Sequence, residues 1–245
     1  MHQRTYFPNL NAVRFLAAFM VVIGHIEQFK GFFGLHDPQD TTFLPARFVM
    51  SGNDAVTVFF VLSGFLITYL LLVEHREAGS VSIRKFYIRR ALRIWPLYYL
   101  IVLLSITVVP ALYHWTAFDG YYVSLRDQFA LKVGLHLLFL PNLANMLHLF
   151  IVGAMHLWSI GIEEQFYLIW PQIAKRLMRV FPLVLLLILA FNLSLIMLNS
   201  IFGDALVNQW GLPYVFLLNF RIESMVIGGL GAWLLFHHRD WVQRW

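Results

Sequence analysis

Cysteine is absent from the 245-residue chain and charge is scarce: Lys, Arg, Asp and Glu together make up 13 %, against 60 % apolar residues. Without thiols there is no disulfide framework and no thiolate metal site, although this says nothing about compartment. No metal centre of any other kind is expected. A soluble domain keeps far more charge on its surface, so the scarcity excludes that class and points to a polytopic membrane protein. Internal repeats, low-complexity tracts and a soluble domain are also missing. A net charge of +5 raises nucleic acid as a partner. The basic residues sit at the ends of apolar segments, however, and form no face, so no nucleic-acid partner is expected.

What is present is a series of apolar runs. Six spans of bilayer length can be drawn, at 9–29, 54–73, 94–112, 157–174, 180–202 and 213–236. The predicted fold class is all-α, a polytopic membrane helical bundle that forms one domain over residues 1–245. With the N-terminus placed in the cytoplasm, twelve Lys and Arg fall inside and four outside (Lys30, Arg47, Arg126, Lys132), while Arg14 and Arg221 lie within spans. This positive-inside bias fixes the expected orientation. Parity then forbids an odd number of crossings for the apolar stretch 129–152, which Pro141-Asn142 interrupts. A re-entrant or interfacial pair of short helices is expected there, its free backbone groups buried in protein or facing a wet cavity; the alternative, a seventh full span, would put the basic ends on the wrong sides. The first apolar segment contains Arg14 and lacks a small-residue cleavage site, so it is expected to stay in place.

Asn11 to Glu27 organises the rest. Arg14 and His25 are eleven residues apart, close to three full turns, so both project from one face roughly 16 Å apart. Ionisable groups at hydrocarbon depth are costly and normally face an interior cavity, and a plain anchor needs neither. In the fourth span His156, Ser159, Glu163 and Tyr167 share one face, with Gln165 on its flank and Trp158 beside them. Counting from the boundaries places Glu163 about 10 Å below the outer surface, near the depth expected for His25. A carboxylate beside an imidazole raises its basicity and fixes its tautomer, as suits a general base. Glu164 faces elsewhere in this reading, as a packing or gating partner. The alternative for His25 alone is a hydrogen-bonded packing residue. In the stretch 81–99, read as an inner loop, Arg89, Arg90 and Arg93 open a helix beside aromatic residues. They read either as topogenic charges touching anionic lipid or as a phosphate site, since guanidinium forks match phosphate oxygens. The sixth span carries Arg221 and Glu223, with Gly228, Gly229, Gly231 and Ala232 below them as small residues for close helix packing. Arg221 is expected to line the same polar cavity.

These residues resemble the acyltransferase-3 family of bacterial inner-membrane O-acyltransferases. Arg14 and His25 look like its first-helix Arg-x10-His motif, in which the His is held essential for acyl transfer. Ser51 to Thr68 resembles the second-helix signature around FFVLSGFLI, and Arg90-x-x-Arg93 with Trp95, Pro96 and Tyr98 resembles the loop assigned to the acyl-CoA donor. His156 to Pro171 is similar to the H-x-W-S-L-x-x-E-x-Q-F-Y-L stretch, with Ile160 at the usual Leu. Arg221, Glu223, Gly228 and Ala232 resemble a later helix. Many members have an acidic residue just before FFVLSGF, where this chain has Thr57; any role of that carboxylate is absent or passes to another group such as Asp54. The family usually has about ten spans, so the chain is expected to lack C-terminal helices, and the esterase-like domain fused to some members is expected to be absent from it.

The resemblance implies an O-acyltransferase of the bacterial inner membrane. It moves an acyl group, foremost acetyl, from cytoplasmic acyl-CoA to a hydroxyl of an extracytoplasmic acceptor such as a surface glycan. His25 and Glu163 are the catalytic pair, with His25 as general base or acyl carrier. Arg14, Arg89, Arg90 and Arg93 bind the donor, while His156, Trp158, Ser159, Gln165, Tyr167, Arg221 and Glu223 line or support the cavity. Acyl-CoA is a co-substrate and no cofactor is expected to be bound. The alternatives are a transporter or channel built on the same polar residues, or an inactive partner subunit.

Overall fold

A computed structural model describes residues 7–32, 52–114 and 125–238. Arg4, Arg47, Arg239 and Arg244 of the charge count, and Ser51 of the second-helix signature, lie outside the described residues. Among the described residues the structure is helical with no strand, the solution a bilayer imposes on backbone that has no water to bond. Helix α1 spans Pro8–Phe32, α2 Gly52–Ala78, α3 Ile83–His114, α4 Phe129–Leu137, α5 Pro141–Met146, α6 Trp158–Leu177, α7 Phe181–Trp210, α8 Leu212–Asn219 and α9 Ile222–His237. The fold class is all-α, as the apolar runs predict.

Five stretches of the described residues are long and apolar enough to cross a membrane: Asn9–Ile26, Asp54–Ala78, Ile83–Ala111, Met155–Trp210 and Leu212–His237. The fourth has 56 residues, roughly 84 Å as a straight helix and far more than one crossing. It holds the predicted fourth and fifth spans, now α6 and α7, joined by the 3-10 turn Met178–Val180. Trp170 and Phe181 show that the chain turns back at this joint. Their rings are 5.6 Å apart, whereas eleven residues of continuous helix would separate them by roughly 16 Å.

Two boundaries correct the sequence reading. The stretch 81–99 is not a loop, because α3 begins at Ile83 and carries the arginines on the same helix as the third span. The predicted sixth span is two helices, α8 and α9, broken at Phe220 and Arg221. Arg221 has φ 49°, a left-handed backbone that costs a non-glycine residue about 1–3 kcal/mol. The stretch 129–152 forms two short helices as expected, of 9 and 6 residues, each too short to cross a bilayer.

The chain divides into two compact units, Met1–Leu70 with Glu223–Trp245, and Leu71–Ile222. In the first unit the backbones of α2 and α9 touch. A Cβ on Gly228 would overlap the Val61 carbonyl, and one on Gly64 would overlap that of Met225. This is the small-residue packing that membrane helices favour, and it gives the glycine of the second-helix signature a structural purpose.

In the second unit the core gathers Tyr98, Val102, Leu125, Ile151, Ala154 and Leu157. The hydroxyls of Tyr98 and Tyr99 donate to the carbonyls of His136 at 2.7 Å and Leu137 at 3.1 Å at the C-terminal end of α4, where helix carbonyls run short of partners; the His136 carbonyl also takes the Phe139 N–H at 3.2 Å. The chain then reverses at Phe139, φ 57°, whose ring packs on Tyr98 at 4.4 Å. Its carbonyl accepts a hydrogen bond from Gln165 Nε2 at 2.9 Å. Gly161 admits α5 against α6, since a Cβ there would lie 2.7 Å from Pro141 Cδ. Burial holds the His136 imidazole below its usual range, opposed by the hydrogen bond that its Nδ1 donates to the Lys132 carbonyl at 2.8 Å.

The tight crossing makes a direct prediction. Gly228→Val should lower the thermal midpoint of the detergent-solubilised protein by an overpacking cost of about 1–3 kcal/mol. Gly134→Ala, with nothing within 4 Å of its Cβ, should raise it by about 0.5–1 kcal/mol. An unchanged midpoint in Gly228→Val would mean that α2 and α9 do not touch there.

Candidate active site

Arg14 and His25 belong to the first unit. On α1 both are half-buried, on a sheltered stripe with Leu10, the fully buried Ala17 and Val21. Phe15, Leu16, Phe19, Val22 and Ile26 on the other side are 49–67 % exposed, as suits a surface turned to lipid tails. The expected common face of Arg14 and His25 is therefore present on the helix. Glu223 is half-buried in the first turn of α9.

Glu163 and the arginines belong to the second unit, where α3 and α6 lie side by side. Two cross-bridges tie them together. Tyr87 donates its hydroxyl proton to the Leu168 carbonyl at 2.6 Å and accepts from Gln172 Nε2 at 3.3 Å. Trp95 Nε1 donates to Glu164 Oε2 at 3.0 Å. Along α3 these anchors are eight residues apart, roughly 12 Å.

Between the two bridges lies a cavity of about 380 Å³, lined by Arg90, Trp95, Glu164 and Tyr167 with Ile88, Ala91 and Leu168. The Arg90 guanidinium sits 5.5 Å from the Tyr167 ring centroid and 5.6 Å from that of Phe86, within cation–π range. Tyr167 donates its hydroxyl proton to Glu163 Oε2 at 3.1 Å, as their i, i+4 spacing allows. Arg90 also feels the charge of both Glu163 and Glu164. An arginine amid two carboxylates and two aromatic rings is a built electrostatic centre.

The three arginines that the sequence groups together are not equivalent. Arg89 is exposed and pairs with Glu74 Oε2 at 3.4 Å, while Glu74 Oε1 accepts the Ser82 N–H at 2.9 Å. That network clamps the turn between α2 and α3. Arg93 is exposed, and Arg90 alone lines the cavity. Glu164, read from the sequence as facing elsewhere, lines it too. The sequence does carry its signal: Glu164, Tyr167 and Leu168 follow i, i+3, i+4 spacing on one helix face.

The remaining residues of the fourth-span motif divide by neighbour. His156 lies in the 3-10 turn Met155–Leu157 ahead of α6, and its carbonyl accepts from Ser159 Oγ at 3.3 Å. Gln165 points away from the Arg90 cavity and joins α6 to α5, with Nε2 donating to Asn142 Oδ1 at 2.8 Å. Trp158 presents its ring to the Arg221 guanidinium at 5.6 Å, which fastens the left-handed break before α9. No group of His, Asp and Glu able to hold a metal ion occurs among the described residues.

Apolar crossing helices with an internal Arg, Glu and Tyr centre define an integral membrane protein built around a polar site. Comparison with known proteins makes this specific. The family model for the acyltransferase domain of the acyltransferase-3 type matches residues 7–245, and the chain belongs to that family. It is 27 % identical over 191 residues to the peptidoglycan O-acetyltransferase OatA of Listeria monocytogenes, covering 69 % of this chain and 24 % of that protein. It is 25 % identical over 243 residues to the O-acetyltransferase OatA of Staphylococcus aureus, covering 96 % of this chain and 36 % of that one. It is also 29 % identical over 188 residues to an uncharacterized protein of Haemophilus influenzae, covering 71 % and 72 %. The chain thus spans between about a quarter and about a third of the length of the two named O-acetyltransferases. No solved structure matches it.

Donors to the half-buried carboxylates Glu163 and Glu164 should matter more than the exposed Arg89 pair. Trp95→Phe and Tyr167→Phe each withdraw a donor from a carboxylate and should destabilise the protein by about 1–3 kcal/mol. Glu74→Gln, at the exposed Arg89 pair, should cost less than about 1 kcal/mol. Thermal unfolding in detergent checks the ranking, and equal effects would contradict it.

Proposed function

We propose that the chain is the membrane domain of an O-acetyltransferase that moves an acetyl group from cytoplasmic acyl-CoA to a hydroxyl of an extracytoplasmic glycan. The observation that carries this reading is the family match over residues 7–245, with relatives whose names specify O-acetylation, one of them of peptidoglycan. The bacterial inner membrane is the matching location.

The geometry supports separate tasks for the donor-binding arginines. Arg90 beside Glu163 and Glu164 leaves that centre with one excess negative charge when all three are ionised, which disfavours a phosphate there. Arg93, exposed on the same helix, and Arg89, once released from Glu74, are suited to the donor's phosphates. Arg90 and Arg14 are the other two members of the proposed donor-binding set. His25 takes the proton from the acceptor hydroxyl as general base, or carries the acetyl group itself, and Glu163 is the second residue of the proposed catalytic pair. Tyr167, bonded to Glu163, holds that carboxylate in place.

Labelled acetyl transfer from acetyl-CoA in membranes tests the proposal. His25→Ala should abolish transfer while the protein still accumulates in the membrane. Arg93→Ala should raise the acetyl-CoA KM with little change in kcat, and Arg89→Ala should do so less. Full transfer by His25→Ala would refute its role, and an unaltered donor KM in Arg93→Ala would refute the phosphate assignment.

A further inference from the structure

The cavity between α3 and α6 has a composition that narrows what can occupy it. Its walls are mainly apolar or aromatic, at Ile88, Ala91 and Leu168 beside Trp95 and Tyr167, yet it also presents one guanidinium, Arg90, and one carboxylate, Glu164. Glu164 Oε2 is taken by Trp95 at 3.0 Å. Its Oε1 is buried and has no hydrogen-bond partner, an acceptor whose desolvation is uncompensated unless a donor arrives. An anion is disfavoured by that carboxylate and its neighbour Glu163, and a cation would answer Oε1 but offer Arg90 no acceptor. A hydrocarbon tail would leave Oε1 unpaired. A neutral group that offers both an N–H and a carbonyl satisfies both ends, and the secondary amide is that group.

The dimensions agree. The Tyr87 and Trp95 bridges close the gap between the helices roughly 12 Å apart, so the opening takes about three or four residues' length of an extended, amide-bearing chain. We propose that this cavity is a slot for a slender amide chain, with Glu164 accepting an amide N–H and Arg90 donating to an amide carbonyl. The inference rests on the acyl-CoA reading above, and under it the chain is the donor's pantetheine arm, which carries two secondary amides. Glu164 is then a donor-binding residue that sets the position of the thioester.

Acetyl transfer in membranes, with acetyl-CoA, acetyl-pantetheine and two acetyl-pantetheine analogues in which one amide N–H or the other is replaced by an ester oxygen, tests this. In the wild-type protein one of the analogues should show a KM raised about tenfold at near-constant kcat. Glu164→Leu should raise the acetyl-CoA KM by a similar factor and lose the discrimination between amide and ester. Glu164→Gln, which keeps an acceptor oxygen, should retain most of it. Ala91→Phe, which fills the slot, should raise the KM for every donor and keeps the test decisive if Glu164→Leu fails to reach the membrane. Normal acetyl-CoA transfer without amide discrimination in the wild type, or full discrimination kept by Glu164→Leu, would overturn the slot alone. Absence of transfer from any of these pantetheine thioesters, with transfer from a different acetyl donor, would overturn the acyl-CoA reading and the slot together.

Discussion

A guanidinium on a helix of bilayer-spanning composition has to be answered from within the protein, because lipid tails offer nothing to it. Arg90 is the residue on which this constraint falls hardest. It is answered by the rings of Phe86 and Tyr167 and by the charges of Glu163 and Glu164. Everything around it follows from keeping that group satisfied without filling the space beside it. The Tyr87 and Trp95 hydrogen bonds hold α3 and α6 together above and below the cavity, and the Tyr167 hydroxyl fixes Glu163. Polar groups that would close the gap are employed elsewhere: Gln165 on Asn142 and the Phe139 carbonyl, Arg89 on Glu74.

The same economy governs the backbone. Helices leave carbonyls short of partners at their ends, and at the end of α4 Tyr98 and Tyr99 supply donors beside the Phe139 N–H. The left-handed residues Phe139 and Arg221 are held by aromatic contacts, to Tyr98 in one case and to Trp158 in the other. At these two positions protein groups surround the irregular backbone, as the absence of water at membrane depth favours, whereas the left-handed Gln128 and His148, which flank α4 and α5, are exposed.

Much of this was legible in the sequence. Apolar run length alone gives the all-α class and the spans, and Pro141-Asn142 within an apolar stretch announces the short pair α4 and α5. The shared face of Arg14 and His25, and the meeting of Glu163 with Tyr167, follow from helical spacing. What was not legible depends on partners distant in sequence. Nothing local shows that Glu164 receives the Trp95 indole from 69 residues away, or that Arg89 and Arg90 part company because Glu74 claims one of them. The break at Arg221 was hidden because Phe220 and Arg221 interrupt an apolar run without a proline or glycine at the break. Family membership came from motifs in order along the chain, whereas the division of labour among the arginines came only from the packing of α3 on α6.

The most direct test of the account is to find where the donor lies. A photoactivatable acetyl-pantetheine carrying a diazirine in its arm, cross-linked in membranes and mapped by peptide mass spectrometry, reports the residues lining its path. The account predicts labelling on α3 around Ile88 and Ala91 and on α6 around Leu168, suppressed by excess acetyl-CoA. Labelling confined to other helices, or labelling of these residues that acetyl-CoA does not suppress, would contradict it.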